Sequence, residues 1–203
     1  MTTEERKAED ARFRQEYPLF AQYPELIYLD NAATTQKPSC VIQAESAFYE
    51  KYNANPFRGV YELAEFATEH YEEARAAVAE LLHANTDEIV FTRNASESLN
   101  LIAYSLGNLV LRPGDEVLVS IMEHHSNLLV WQQAAKRTGA TLRYLDCTQD
   151  GKITAEMVES AITDKTKIFA VTQISNVLGW KNDIKSFAEI CHRKGCLIVA
   201  DGA

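Results

Sequence analysis

The chain has 203 residues, 46% of them hydrophobic and 24% charged, with a net charge of −9; it is long enough for one sizeable core and reads as soluble and globular. The acidic balance argues against nucleic acid, whose phosphates want a basic face, and no run approaches the roughly eighteen apolar residues of a membrane span. The opening "MTTEERKAED" has no apolar secretory core, and four cysteines without a CxxC pair make no disulfide scaffold at this length, so a cytoplasmic α/β protein is expected.

Residues 4–17 are read as a polar helix anchored by Phe13 and Tyr17, and Pro18 and Pro24 bracket a loop. "LIYLD" at 26–30 is a brief strand, followed by the small, polar loop "NAATTQKPS". Pro38 suits the first turn of the next helix, where its missing N–H costs nothing, and that helix runs to Tyr52. "NANPFRGVY" breaks the periodicity. The clearest helix covers 61–83, where Leu63, Phe66, Ala67, His70, Ala74, Ala77, Val78 and Leu81 recur at three- and four-residue steps. Strands are read at 88–92, 116–120, 141–146, 167–172 and 196–200, and helices near 97–110, 127–138, 155–161 and 183–194. This alternation implies a mostly parallel sheet with helices on both faces. A boundary near residue 60 separates an N-terminal arm, 1–60, from the sheet domain, 61–203.

In such sheets ligands sit beyond the C-terminal ends of the strands. In "TRNASE", 92–97, Asn94 can cap a helix with Glu97 in the reciprocal position. The amides of Ala95 and Ser96 then form a phosphate seat; an ordinary cap reads equally well. There is no GxGxxG or GxxxxGK pattern, so neither a Rossmann nor a Walker site is supported. In "SIMEHHSN", 120–127, Glu123, His124 and His125 follow a strand without HxH or HExxH spacing, which speaks against a metal. A histidine there can stack on a planar cofactor or pass a proton, or be a plain loop residue.

In "TQISNVLG", 172–179, Asn176 can donate a hydrogen bond into a site or simply make a turn; Trp180 reads as wall packing. Asp201 ends "CLIVA", the most apolar strand and hence expected to be central. A carboxylate buried there is costly without a donor. A protonated pyridine nitrogen supplies one and stays cationic, the electron-sink arrangement of pyridoxal phosphate. Capping of the next loop or Mg2+ binding are the other readings of Asp201. Taken together, a phosphate seat, a flat ring, an amide and a carboxylate suit a planar, phosphorylated, nitrogen-bearing cofactor.

At "YLDNAATTQKP", "ATEHYEEAR", "EIVFTRNASESLNL", "GDEVLVSIMEHHSNLLVWQ", "TKIFAVTQISNVLG" and "IVADGA" the sequence resembles the class V aminotransferase family of pyridoxal-phosphate enzymes. It is similar in particular to the group II cysteine desulfurases and selenocysteine lyases. The resemblance implies the fold type I architecture of pyridoxal-phosphate enzymes, here as a truncated large domain without the small C-terminal domain. It implies that His124 stacks on the cofactor ring and relays protons, that Asp201 pairs with the pyridine nitrogen, and that Ala95 and Ser96 hold the phosphate. By the same resemblance Asn176 lies near cofactor and substrate carboxylate, while Ala32, Ala33 and Arg58 line the substrate pocket.

The implied reaction converts L-cysteine, or L-selenocysteine, to alanine, with sulfur passing to an enzyme cysteine and on to an acceptor protein for iron–sulfur cluster assembly. The implied assembly is a homodimer. Two departures stand out. Phe57 and Tyr61 occupy places where the family carries histidines, which bears on the substrate more than on the cofactor. The family's Schiff-base lysine and sulfur-accepting cysteine lie beyond the Asp201 position, so the chain alone is expected to be inactive. Other readings are a different class V activity (aminotransferase, kynureninase-like hydrolase or epimerase), a non-catalytic remnant of the fold, or an α/β domain for another phosphate ligand.

Overall fold

Capping residues and helical periodicity order the start of the chain in this computed structural model, which describes residues 2–203. The chain divides into two units, Met1–Val90 and Phe91–Ala203. In the first, α1 (Thr3–Gln15) starts from a closed capping box: the Thr2 hydroxyl accepts from the Glu5 amide at 3.2 Å, and the Glu5 carboxylate accepts from the Thr2 amide at 2.6 Å. α2 (Pro18–Gln22) and α3 (Ser39–Ala47) follow, α3 running into a π-helical turn, Phe48–Tyr52. Pro38 is the N-cap of α3 rather than part of its first turn.

The long helix α4 (Glu62–Leu82) closes at His83, in the left-handed region at φ 53°. Its buried side differs from the expected face. Ala64, Ala67 and Ala79 are buried, whereas Leu63 and Leu81 are 44% and 77% exposed. Aromatic contacts choose the side: Tyr52 stacks on Phe66 at 4.1 Å and Phe57 meets Tyr71 edge-on at 5.4 Å. These contacts tie α4 to the segment before it, and both lie in the unit that runs to Val90.

Two expected strands are absent among the described residues. "LIYLD" belongs to no strand, and 88–92 is the end of a 3-10 turn (Thr86–Glu88) followed by chain without regular structure. A strand exists only through a ladder partner, and no described segment supplies one to either.

In the second unit the order is α5 (Ala95–Val110), β1 (Glu116–Ser120), α6 (His125–Thr138), β2 (Thr141–Leu145), α7 (Ala155–Ala161), β3 (Thr166–Thr172), α8 (Ile184–Arg193) and β4 (Leu197–Asp201). The four strands are parallel in the order β2-β1-β3-β4. Successive side chains point to opposite faces. Val117, Val119, Ile168, Ala170 and Val199 therefore pack under α5 and α6 around Trp131. Leu118, Phe169 and Val171 pack on the other face with α7 and α8 around Phe187. Both faces are covered, as the α/β reading requires.

β4 corrects one expectation. Among the described residues it ends the strand order, paired with β3 alone, and Leu197 is 40% exposed. Its apolar run fits one buried face and one ladder neighbour, while β1 and β3 are each buried at every residue but one. Among the described residues no helix is long and apolar enough to cross a membrane.

Candidate active site

Parallel strands all end at one edge of the sheet, so the residues that follow them gather there. Asp201 is the last residue of β4 and lies beside Thr172 of β3. It is 7% exposed. Its Oδ1 accepts from the Ala203 amide at 3.1 Å, and its main-chain carbonyl accepts from the Gln173 amide at 2.7 Å. Among the described residues no lysine, arginine or histidine forms an ion pair with it, and no donor reaches Oδ2. A buried carboxylate with one backbone donor and no cation has capacity for a cationic N–H.

Glu123, just past β1, is the second carboxylate at this edge. It accepts from the Ser120 hydroxyl, from the Thr172 amide at 2.9 Å and from Asn127 Nδ2 at 2.6 Å. The Asn127 amide is itself oriented by Trp131, whose indole N–H donates to Oδ1 at 3.0 Å. Burial pushes Glu123 above the usual carboxylate range; these hydrogen bonds oppose the rise, and the nearby charge of Asp201 adds to it. Sequence reading noted Glu123 but gave it no role. The available signal was its four-residue spacing to Asn127 at a helix start.

His124 caps α6: its Nδ1 accepts from the Ser126 amide at 3.2 Å and lies 3.0 Å from Ser126 Oγ. Accepting at Nδ1 places the proton of the neutral ring on Nε2. The ring is exposed. Ser126 also ties two helix starts together, since its Oγ is 2.7 Å from Ser96 Oγ. The first-turn amides of α5, those of Ala95 and Ser96 among them, have no intrahelical acceptor and carry the positive end of the helix dipole. Asn94 caps this helix as expected, accepting from the Glu97 amide at 2.9 Å. The reciprocal contact slips by one residue: the Glu97 carboxylate takes the Arg93 amide at 2.6 Å, not that of Asn94.

Asn176 sits exposed in a turn closed by Gly179 N–H to Ser175 O at 2.8 Å. That turn and the residues after β1 line a cavity of about 400 Å³, with Glu123, His124, Ser175 and Asn176 in its wall. The structure thus brings His124 and Asn176 to one cavity. Asn182, in the wall of a separate pocket with Gln173 and Lys181, is buried, donating from Nδ2 to Thr172 O at 2.8 Å while its Oδ1 has no partner; sequence reading passed over this residue. Ala32, Ala33 and Arg58 belong to the first unit, all exposed there, the two alanines in a turn in which Ala33 N donates to Asp30 O at 3.2 Å. Phe57, preceding Arg58, adopts φ 67°, rare for a bulky residue, and its amide donates to Thr68 Oγ1 at 2.8 Å. Among the described residues no three His, Cys, Asp or Glu side chains are grouped as metal ligands.

The edge suits pyridoxal phosphate: a buried carboxylate lacking a cation, an accessible imidazole with a fixed tautomer, and a helix start with open amides. A family model described as "Aminotransferase class-V" matches residues 27–203. The chain is 50% identical over 179 residues to a probable cysteine desulfurase of Halalkalibacterium halodurans, covering 88% of this chain and 44% of that protein. Among solved structures it is similar to an apo cysteine desulfurase from Thermococcus onnurineus NA1, with a TM-score of 0.87 and 39% identity over 94% of this chain and 46% of that one. It is also similar to a cysteine desulfurase from Escherichia coli, with a TM-score of 0.84 and 36% identity over 95% of this chain and 48% of the other. The chain spans about half the length of the curated relatives it matches.

Proposed function

Because this chain belongs to the class V aminotransferase family, whose cofactor is pyridoxal phosphate, we propose that it forms the ring- and phosphate-binding part of a cysteine desulfurase. The observation that carries this reading is Asp201, a carboxylate buried at a strand end without a cation. When bound, the cofactor supplies an electron-accepting cationic ring. Asp201 holds the proton on the ring nitrogen, and the amides of Ala95 and Ser96 hold the phosphate. His124 would help hold the ring and, from Nε2, would give and take a proton near the substrate. Asn176 directs its side-chain amide at the substrate carboxylate.

In this proposal the substrate is L-cysteine or L-selenocysteine, the product is alanine, and the sulfur leaves through a cysteine outside this chain to an acceptor protein serving iron–sulfur cluster assembly. The working form is a cytoplasmic homodimer, and the 203-residue chain alone turns nothing over. Phe57 and Tyr61 favour one other reading, a different class V activity on another amino acid. Fusing this chain to the remaining part of the Halalkalibacterium halodurans relative, and measuring alanine released from L-cysteine with pyridoxal phosphate, tests the assignment. Alanine from the fusion and none from the chain alone is expected. A fusion that binds the cofactor yet acts only on another amino acid would contradict it.

A further inference from the structure

Two cysteines take no part in the site above. Cys191 and Cys196 are 0% and 1% exposed, in the core on the α8 side of the sheet. They flank the end of α8, where Gly195 adopts φ 68°. The Cys196 amide donates to Cys191 O at 2.9 Å, and the Gly195 amide donates to His192 O at 3.1 Å. This pair of bonds is a Schellman motif, in which the two residues joined by the longer bond bring their side chains together, commonly as an apolar contact. Here both of those residues are thiols.

The main-chain bond joins the two residues directly, and a disulfide between them asks for Cα atoms about 4.4–6.8 Å apart. The Cys196 S–H donates to Leu197 O at 3.4 Å, and the interaction of the two thiols holds Cys191 below the usual thiol range; the same interaction, with burial, pushes Cys196 up. Cys191 is thus the better nucleophile of the two and Cys196 the neutral thiol beside it. Cys40 is exposed in the first unit and Cys147 is half-buried after β2; neither belongs to such a motif.

We propose that Cys191 and Cys196 are a dithiol that a small peroxide oxidises reversibly to a disulfide, stapling the end of α8 to the start of β4, the strand that ends at Asp201. The Cys191 thiolate attacks one peroxide oxygen, the O–O bond breaks, and hydroxide leaves, forming a sulfenic acid. The Cys196 sulfur then attacks the Cys191 sulfur; the S–S bond forms, and the hydroxyl leaves as water with the Cys196 proton. The two sulfurs together lose two electrons, which reduce the peroxide to water. Burial excludes a bulky disulfide such as oxidised glutathione, so the oxidant is one as small as hydrogen peroxide, reaching the thiols by local opening.

The test uses the folded chain. It is treated with hydrogen peroxide, quenched, denatured, alkylated with iodoacetamide and digested with trypsin. Cleavage after Arg193 and Lys194 separates the two cysteines, so the bridge appears as two tryptic peptides joined by sulfur, about 2 Da lighter than the pair of free thiols. Dithiothreitol should restore both alkylated peptides, and Cys191→Ser should leave Cys196 unbridged. Exposed Cys40 reports that oxidant was present. If Cys40 is oxidised while Cys191 and Cys196 are both recovered alkylated, or if either is found bridged to Cys147, the proposal is overturned.

Discussion

The two ends of the sheet treat carboxylates in opposite ways. At the N-terminal end Glu116 accepts from Arg143 at 2.9 Å and from the hydroxyls of Thr163 and Thr166 at 2.7 and 3.1 Å. Burial would raise it, but these bonds prevail and hold it below the usual range. At the C-terminal end Glu123 is raised, and Asp201 is buried with no cation among the described residues. One end completes its electrostatics from within the chain and serves the architecture. The other leaves a negative charge open, and that is where an outside cation is wanted.

The sharpest perturbation removes what both ends share. Phe169 is fully buried at the centre of β3, and Phe169→Ala should cost about 3–5 kcal/mol by urea unfolding, weakening both ends together. Glu116→Ala acts on one end alone. It removes the charged acceptor shared by Arg143 and two threonine hydroxyls, leaving Arg143 its bond to Ala161 O, and should cost about 1–3 kcal/mol at neutral pH, with no effect on cofactor binding. Because the folded state lowers the Glu116 pKa, its contribution is present above the ordinary carboxylate value and is lost as pH falls through the lowered one. The stability gap between Glu116→Gln and the parent should therefore close in acid.

Glu123 should show the reverse sign. Its raised pKa means that the folded state binds the proton more tightly, so the parent loses stability as pH rises from the ordinary value through the raised one. Glu123→Gln should remove that fall, whose slope for one group is at most about 1.4 kcal/mol per pH unit. Parallel pH profiles for the two variants would break the comparison. The smallest effect is at the cap: Asn94→Ala should cost about 1 kcal/mol and loosen the turn offered to phosphate, read as a drop in thermal midpoint with a modest loss of pyridoxal-phosphate affinity.

Legibility in the sequence follows range of interaction. β1 and β3 are continuous apolar runs bounded by turn residues, and α7 begins at Thr154, whose hydroxyl accepts from the Met157 amide at 3.3 Å; such signals are local. "LIYLD" and 88–92 have strand composition, but a ladder needs a partner distant in sequence, and composition does not name one. The place of β4 at the end of the strand order was illegible for the same reason: an apolar run reports burial of a face, not the number of neighbours. The positions of His124, Asn176 and Asp201 after strands were legible, because parallel topology sends every strand end to one side. The Ser96–Ser126 contact and the Trp131–Asn127–Glu123 chain were not, since each joins or orients side chains that only packing brings together.

The measurement that bears most directly on the open charge is an equilibrium titration with pyridoxal phosphate of the parent chain, Asp201→Asn and Glu116→Gln. Asparagine keeps the acceptor for the Ala203 amide and removes only the charge. Asp201→Asn is expected to weaken binding about tenfold or more, the scale of a lost charge-assisted hydrogen bond, while Glu116→Gln stays within about twofold. Equal affinity in the parent and Asp201→Asn would contradict the account.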